Sequence, residues 1–351
     1  MDFTPYLEMM VRTNASDLFV TAGSPVRIKI DGNVRNVGDT VYTADMSKAA
    51  VFSLLDDEKI QVLEQHRELD FGVGLPGKGR FRINAFHQRG SLAMVIRFLS
   101  DEVPTVDGLG LPPVLKDLVM HKRGILLMVG ASGCGKSTSL AAMVNHRNVN
   151  STGHILTIED PVEYLHPHKG CIVNQRELGG DTLSYAAALR SSLREAPDVI
   201  QIGEIRDRET MEAAIELAGT GHLAISTLHA NNTYMALERV INMFPQDVHK
   251  TLFMDLALYM RAIISQRLVE TVDGKRTVAI EILVNTPHIA DLIREGKVDA
   301  IKPAMADTKE GGMVMFDDSL LDLYRQGRIT LKECLANADS AANLEAKISF
   351  G

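Results

Sequence analysis

Along the first hundred residues apolar positions recur at two different spacings. Thr4 followed by Pro5 marks a helix start, because threonine can cap free N–H groups and proline fits the first turn, with residues 6–11 as the body. Val26, Ile28 and Ile30 alternate with Arg27 and Lys29 and run into Asp31-Gly32, a pair suited to a tight hairpin turn, before Val34 and Val37. Residues 45–65 read as helical, with Val51, Leu54, Leu55 and Ile60 on the buried side. Strands are predicted at residues 69–73, 80–86 and 92–98. In the second, Arg80 and Arg82 take one face while Phe81, Ile83 and Ala85 take the other.

Residues 100–113 hold three prolines and two glycines without clear periodicity, which predicts a boundary. Beyond it the texture changes to apolar strands at 125–129, 154–159, 199–203 and 223–227, separated by helical segments long enough for crossovers. That pattern predicts a mainly parallel sheet covered on both faces, with ligands at the C-terminal strand ends. Phe316, Leu320, Leu321 and Tyr324 recur at helical spacing in a helical tail from about residue 285. The predicted organisation is an α+β domain over 1–100, a linker over 101–115 and an α/β domain over 116–351 that carries the tail.

Composition narrows the class. A chain of 351 residues, 45% hydrophobic and 23% charged, has length for two cores and the profile of a soluble globular protein. No apolar run approaches a membrane span, and Asp2, Pro5 and Glu8 stand where a signal peptide needs a basic start and an apolar core, so a cytoplasmic location is expected. Cys134, Cys171 and Cys334 are far apart, which supports neither a disulfide framework nor a zinc site. A formal charge of −8 argues against nucleic acid as a main partner.

The chemistry concentrates after the first apolar strand. Gly130-Ala131-Ser132-Gly133-Cys134-Gly135-Lys136-Ser137 fits the Walker A pattern between a strand and a helix bearing Leu140, Met143 and Val144 on one side. Its glycines let backbone N–H groups turn toward phosphate oxygens, and the following helix adds its positive end. Lys136 would reach the β- and γ-phosphates of ATP, and the Ser137 hydroxyl would ligate Mg2+. Thr138 completes the predicted nucleotide-binding stretch.

Other candidates each carry two readings. Glu204, closing an apolar segment that Gln201 interrupts, fits a Walker B acid holding the metal or its water, or a structural partner for Arg206. Glu159, Asp160 and Glu163 end another strand; such carboxylates can orient and deprotonate an attacking water, or form a solvated acidic turn. His222 and His229 flank the strand at 223–227 and would either sense a γ-phosphate or cap the strand. Arg80, Arg82, Arg89 and Arg97 would deter edge pairing or reach a neighbouring subunit's nucleotide as arginine fingers.

Together, GASGCGKST at 130–138, TIEDPVEY at 157–164, IGEIRD at 202–207 and TGHLAISTLH at 220–229 resemble the Walker A, Asp box, Walker B and His box of the secretion ATPases that drive type IV pili and type II secretion. GRFRINAF at 79–86 and VNQRE at 173–177 are similar to the PilT and PilU retraction branch, with the greater likeness to the PilU type. The resemblance implies a RecA-like core behind a PAS-like domain, assembled as a hexamer with ATP between subunits. It implies Glu163 as general base, Glu204 as Walker B acid, His222 and His229 as the His-box pair, and Arg82 and Arg97 as phosphate-contacting arginines. It also implies a PilT-type ATPase and an inner-membrane platform protein as partners, on the cytoplasmic face of that membrane. One signature departs: the retraction motif AIRNLIRE of PilT-type proteins reads His288-Ile289-Ala290-Asp291-Leu292-Ile293-Arg294-Glu295 here, which fits an accessory motor. The N-terminal extension and four-cysteine module of extension ATPases are absent from this sequence.

Overall fold

The computed structural model describes residues 2–30, 32–75, 78–99, 102–307 and 310–350. Asp31 of the expected hairpin turn and the expected boundary at residues 100–101 lie outside the described residues. The chain divides into two compact units, one running to Val103 and taking in Glu163–Leu165, the other holding Pro104–Val162 and everything from His166 onward.

In the N-terminal unit the strands are β1 (Asp17–Thr21), β2 (Pro25–Ile30), β3 (Asn33–Val41), β4 (Glu68–Leu75), β5 (Gly79–Gln88) and β6 (Ser91–Leu99). They form one sheet in the order β3-β2-β1-β6-β5-β4, antiparallel throughout. Alternation along β5 buries Phe81, Ile83 and Ala85, which join Met94 and Ile96 of β6 and helix residues Leu7, Met10, Ala50, Val51 and Leu63 in a single core. Thr4 does not cap the first helix. It is the first helical residue, and its N–H donates to the Asp2 carboxylate at 2.9 Å. The stretch read as one helix is two, Ala44–Phe52 and Asp57–His66, because the Asp56 side chain accepts from the Lys59 N–H and starts the second. Arg89 and Gly90 have φ of 47° and 78° and make the two-residue turn between Gln88 and Ser91, so Arg89 leaves the strand face.

The second unit carries β7 (Gly124–Val129), β8 (Gly153–Glu159), β9 (Cys171–Glu177), β10 (Val199–Glu204), β11 (Leu223–Leu228), β12 (Met260–Glu270) and β13 (Arg276–Val284). Their order is β13-β12-β7-β11-β10-β8-β9, parallel except for the β12–β13 pair. Both faces are covered, which is why β7 and β11 are buried at every position. Val106, Leu111 and Leu115 from the expected linker are buried in this unit's core with Leu140, Met143 and Val144. From Pro287 on the chain is mostly helical, and the predicted stripe of Phe316, Leu320 and Leu321 packs with Cys334 and Leu344 while Tyr324 flanks it. All three cysteines are buried free thiols.

The hydrophobic pattern does not single out β1, β9, β12 or β13. β12 and β13 are buried on both faces but interrupted by Gln266, Arg267 and Glu281, so neither alternation nor an unbroken apolar run marks them.

Ile83 is fully buried in the N-terminal core. Ile83→Ala is expected to lower the stability of that unit by about 2–5 kcal/mol, read as a shift of its transition in urea unfolding.

Candidate active site

The parallel sheet gathers the chemistry at one edge. β7 ends at Val129 and the chain turns at once into the loop of residues 130–135, followed by the helix Lys136–Asn150. Gly130, Gly133 and Gly135 have φ of 145°, 75° and 88°, a region that side chains rarely adopt. At Gly130 the space is also closed, since a Cβ there would lie 2.6 Å from both the Cys134 Sγ and the Gln266 main-chain oxygen. The helix has no side-chain cap, so its first N–H groups remain available beside the loop. Lys136 is 9% exposed and its ammonium donates to the carbonyl oxygens of Gly130 and Ala131, each at 2.9 Å. A phosphate oxygen, being anionic, is the stronger acceptor for those protons. Burial raises the Cys134 thiol, which keeps it protonated inside the loop.

Glu204 ends β10, two strands from the loop. One carboxylate oxygen lies 3.1 Å from His229 Nε2 and the other accepts from Arg206 Nε at 2.6 Å. The sequence left Glu204 between a Walker B acid and a partner for Arg206; the structure pairs it with Arg206 and joins it to His229 as well. That carboxylate holds the Arg206 guanidinium firmly charged. Thr227 and Gly203 lock the two strand ends together through a 2.7 Å hydrogen bond from Thr227 Oγ1 to the Gly203 carbonyl. At the next strand end Glu159, 8% exposed, accepts from Thr157 Oγ1 at 2.6 Å and from Gln175 Nε2 at 3.1 Å.

Two residues at this edge are invisible to motif reasoning. Tyr185 brings its hydroxyl so close to Gly203 that a Cβ there would meet it at 2.6 Å. Burial, with Asp160, Glu204 and Glu159 nearby, pushes its phenol well above the ordinary range, so it stays a neutral donor. Gln266 on β12 bonds the loop itself, donating from Nε2 to the Cys134 carbonyl and accepting from Ser139 Oγ at 2.8 Å.

Not every predicted residue joins this edge. His222 precedes β11 and so sits at the opposite end of that strand from His229, with Nδ1 3.1 Å from both the Leu217 carbonyl and Thr220 Oγ1. There it braces the turn into the strand. Glu163 is exposed in the segment that belongs to the N-terminal unit. Within that unit Arg82 and Arg97 are cross-strand partners on β5 and β6 and line a shallow pocket with Asp70 and Asn84. Arg82 Nη2 donates to Asp70 at 3.0 Å and Arg97 Nε to Asp17 at 3.0 Å.

A glycine-bent loop feeding a helix from a central parallel strand, with an acid ending the next strand but one, defines the core of a P-loop ATPase. The family model described as Type II/IV secretion system protein matches residues 2–338, and the chain belongs to that family. It is 49% identical over 352 residues to the type IV pilus ATPase PilU of Pseudomonas aeruginosa, covering 100% of this chain and 92% of the relative. It is 38% identical over 343 residues to the pilus retraction ATPase PilT of the same organism, covering 98% and 100%. The crystal structure of the pilus retraction motor PilT with bound ADP aligns at a TM-score of 0.92 over 99% of each chain, with 38% identity. The chain is thus a nucleotide-using ATPase homologous to the pilus retraction ATPases, and among its described residues no helix is long and apolar enough to cross a membrane.

His166, next to the acidic turn, donates its main-chain N–H to Gln175, which in turn holds Glu159. Burial, aided by Lys169, depresses its imidazole to about 4. A depressed histidine contributes stability above its unfolded value of about 6.5 and loses it as pH falls toward 4, so unfolding free energy should drop by about 2 kcal/mol between pH 6.5 and 5 from this group. In His166→Gln that acid loss should be absent, as measured by urea unfolding at the two pH values.

Proposed function

We propose that this protein works as a hexamer that couples hydrolysis of Mg-ATP to retraction of type IV pili, as an accessory motor beside a PilT-type ATPase. The observation that carries this reading is the convergence of the phosphate-binding loop, Lys136, Ser137, Glu204 and His229 on one edge of one sheet. Backbone N–H groups of residues 131–137 and the Lys136 ammonium hold the triphosphate, with Thr138 closing the cradle. His229, held by Glu204, offers its ring to the γ-phosphate. His222, at the far end of β11, acts through the turn that it braces into that strand.

A divalent cation fits the donors present. The Ser137 hydroxyl and the Glu204 carboxylate are hard oxygen donors, and no cluster of three acidic, histidine or cysteine side chains that could cage a metal exists among the described residues. That suits Mg2+, which takes few protein ligands and keeps phosphate oxygens and water. It supplies charge neutralisation at the β- and γ-phosphates when bound. Both Glu204 oxygens are engaged, so its hold on the cation runs through water.

Glu163 serves as the general base, and Arg82 and Arg97 approach the γ-phosphate of a neighbouring subunit. The exposed pair of Arg82 with Asp70 costs little to exchange for a phosphate, and Arg97 is itself exposed although its partner Asp17 is buried. Successive turnover around the ring would move an inner-membrane platform protein, with the hexamer docked on the cytoplasmic face of that membrane. The altered motif His288–Glu295 supports the accessory role. It also favours a second reading, a nucleotide-binding ring acting mainly as a binding partner of the principal motor.

Lys136→Ala should reduce phosphate release at least about a hundredfold in the assembled protein; full turnover in that variant would rule out the mechanism. Arg97→Ala should lower kcat by roughly a thousandfold if that arginine acts in trans, and an unchanged rate removes it from the site. In cells lacking the PilT-type partner this chain alone should restore little retraction, and robust retraction would defeat the accessory role.

A further inference from the structure

Gln266 is a long polar side chain in the interior of β12 and is only 1% exposed. The register places Ser265 opposite Val129, so Gln266 stands beside the first residue of the phosphate loop. Both ends of its amide are used, by the Cys134 carbonyl and by Ser139 Oγ. Its main-chain oxygen closes the space at Gly130, and its Nε2 would lie 2.9 Å from a Cβ on Gly135. The loop therefore wraps around this one residue at its first glycine, its last glycine, the peptide between positions 134 and 135, and the first turn of the helix. At two of the three loop glycines, both already at positive φ, Gln266 also occupies the space that a side chain would need.

The peptide joining Cys134 to Gly135 is planar, with C=O and N–H pointing opposite ways. Anchoring its oxygen on Gln266 turns the Gly135 N–H away from that side chain. The same strand holds a second loop. Ser265 Oγ and Arg267 Nη2 donate to the Asn231 carbonyl at 3.4 and 3.3 Å, two residues beyond His229.

We infer that Gln266 is the positioning residue of the phosphate loop. It fixes the direction of the loop's amides from a rigid strand before nucleotide arrives, while its neighbours Ser265 and Arg267 fix the His229 loop from that strand. A preformed cradle binds more tightly, because ordering the loop is no longer charged against binding. This inference rests on the reading of residues 130–137 as the nucleotide site.

The test is a titration of full-length, assembled protein with a fluorescent ATP analogue, alongside nucleotide-free thermal unfolding. Gln266→Leu keeps the approximate volume and removes both hydrogen bonds; its affinity should fall roughly tenfold or more, since the Cys134 carbonyl and Ser139 hydroxyl lose their partner. Gln266→Glu keeps the shape and the Ser139 bond but sets an acceptor against the Cys134 carbonyl, and should bind at least as weakly. Ser139→Thr should restore wild-type affinity where Ser139→Ala loses several-fold. If Gln266→Leu does not fold, Ser139→Ala carries the test. A lowered unfolding midpoint with unchanged affinity marks a purely structural side chain and overturns the inference. Wild-type protein that binds no ATP overturns the site assignment, and the inference with it.

Discussion

A backbone that presents its N–H groups to an anion cannot also fold them into a helix or sheet, and the nucleotide site proposed for this molecule is built around that conflict. It is resolved between Val129 and Lys136, where three glycines at positive φ let the chain reverse between a buried central strand and a long helix. Such a loop is stiff only if something outside it supplies the contacts its own residues lack. Here the support comes from β12, whose Gln266 holds the Cys134 carbonyl and crowds Gly130.

Charge at the same edge is arranged so that the carboxylates of Glu204 and Glu159 each have partners. Glu204 is shared between His229 and Arg206, and Glu159 is held by a threonine hydroxyl and a glutamine amide. A carboxylate held this way has a fixed direction, which matters more for catalysis than its strength as a base. In the N-terminal unit the arginines answer to a different logic. Arg97 is 61% exposed on its side chain, while its partner Asp17 is buried and is also approached by Lys29 and Ser16.

Much of this was legible in the sequence where one residue type does one job. The glycines and lysine of residues 130–137 and the apolar runs of β7, β8, β10 and β11 announce themselves, because a tight anion-binding turn and a doubly covered strand tolerate few substitutes. What stayed hidden depends on neighbours far along the chain. Gln266 touches the loop from 127 to 132 residues away, and in sequence it merely spoils an apolar run. Tyr185 is an unremarked helix residue until folding sets its hydroxyl against Gly203. His222 and His229 flank one strand, but residue type alone does not say which end of that strand faces the phosphate loop. The interruption at Gln201 has no partner for its Oε1 among the described residues, and nothing in the structure explains it.

The central claim is that residues 130–137 enclose the phosphates of ATP through backbone amides. Hydrogen–deuterium exchange of the assembled protein with and without Mg-ATP reads those amides directly. The account predicts that nucleotide slows exchange from residue 131 through the first turn of the helix that begins at Lys136. Nucleotide binding that left those amides exchanging at their free rate, with protection confined to another part of the chain, would contradict it.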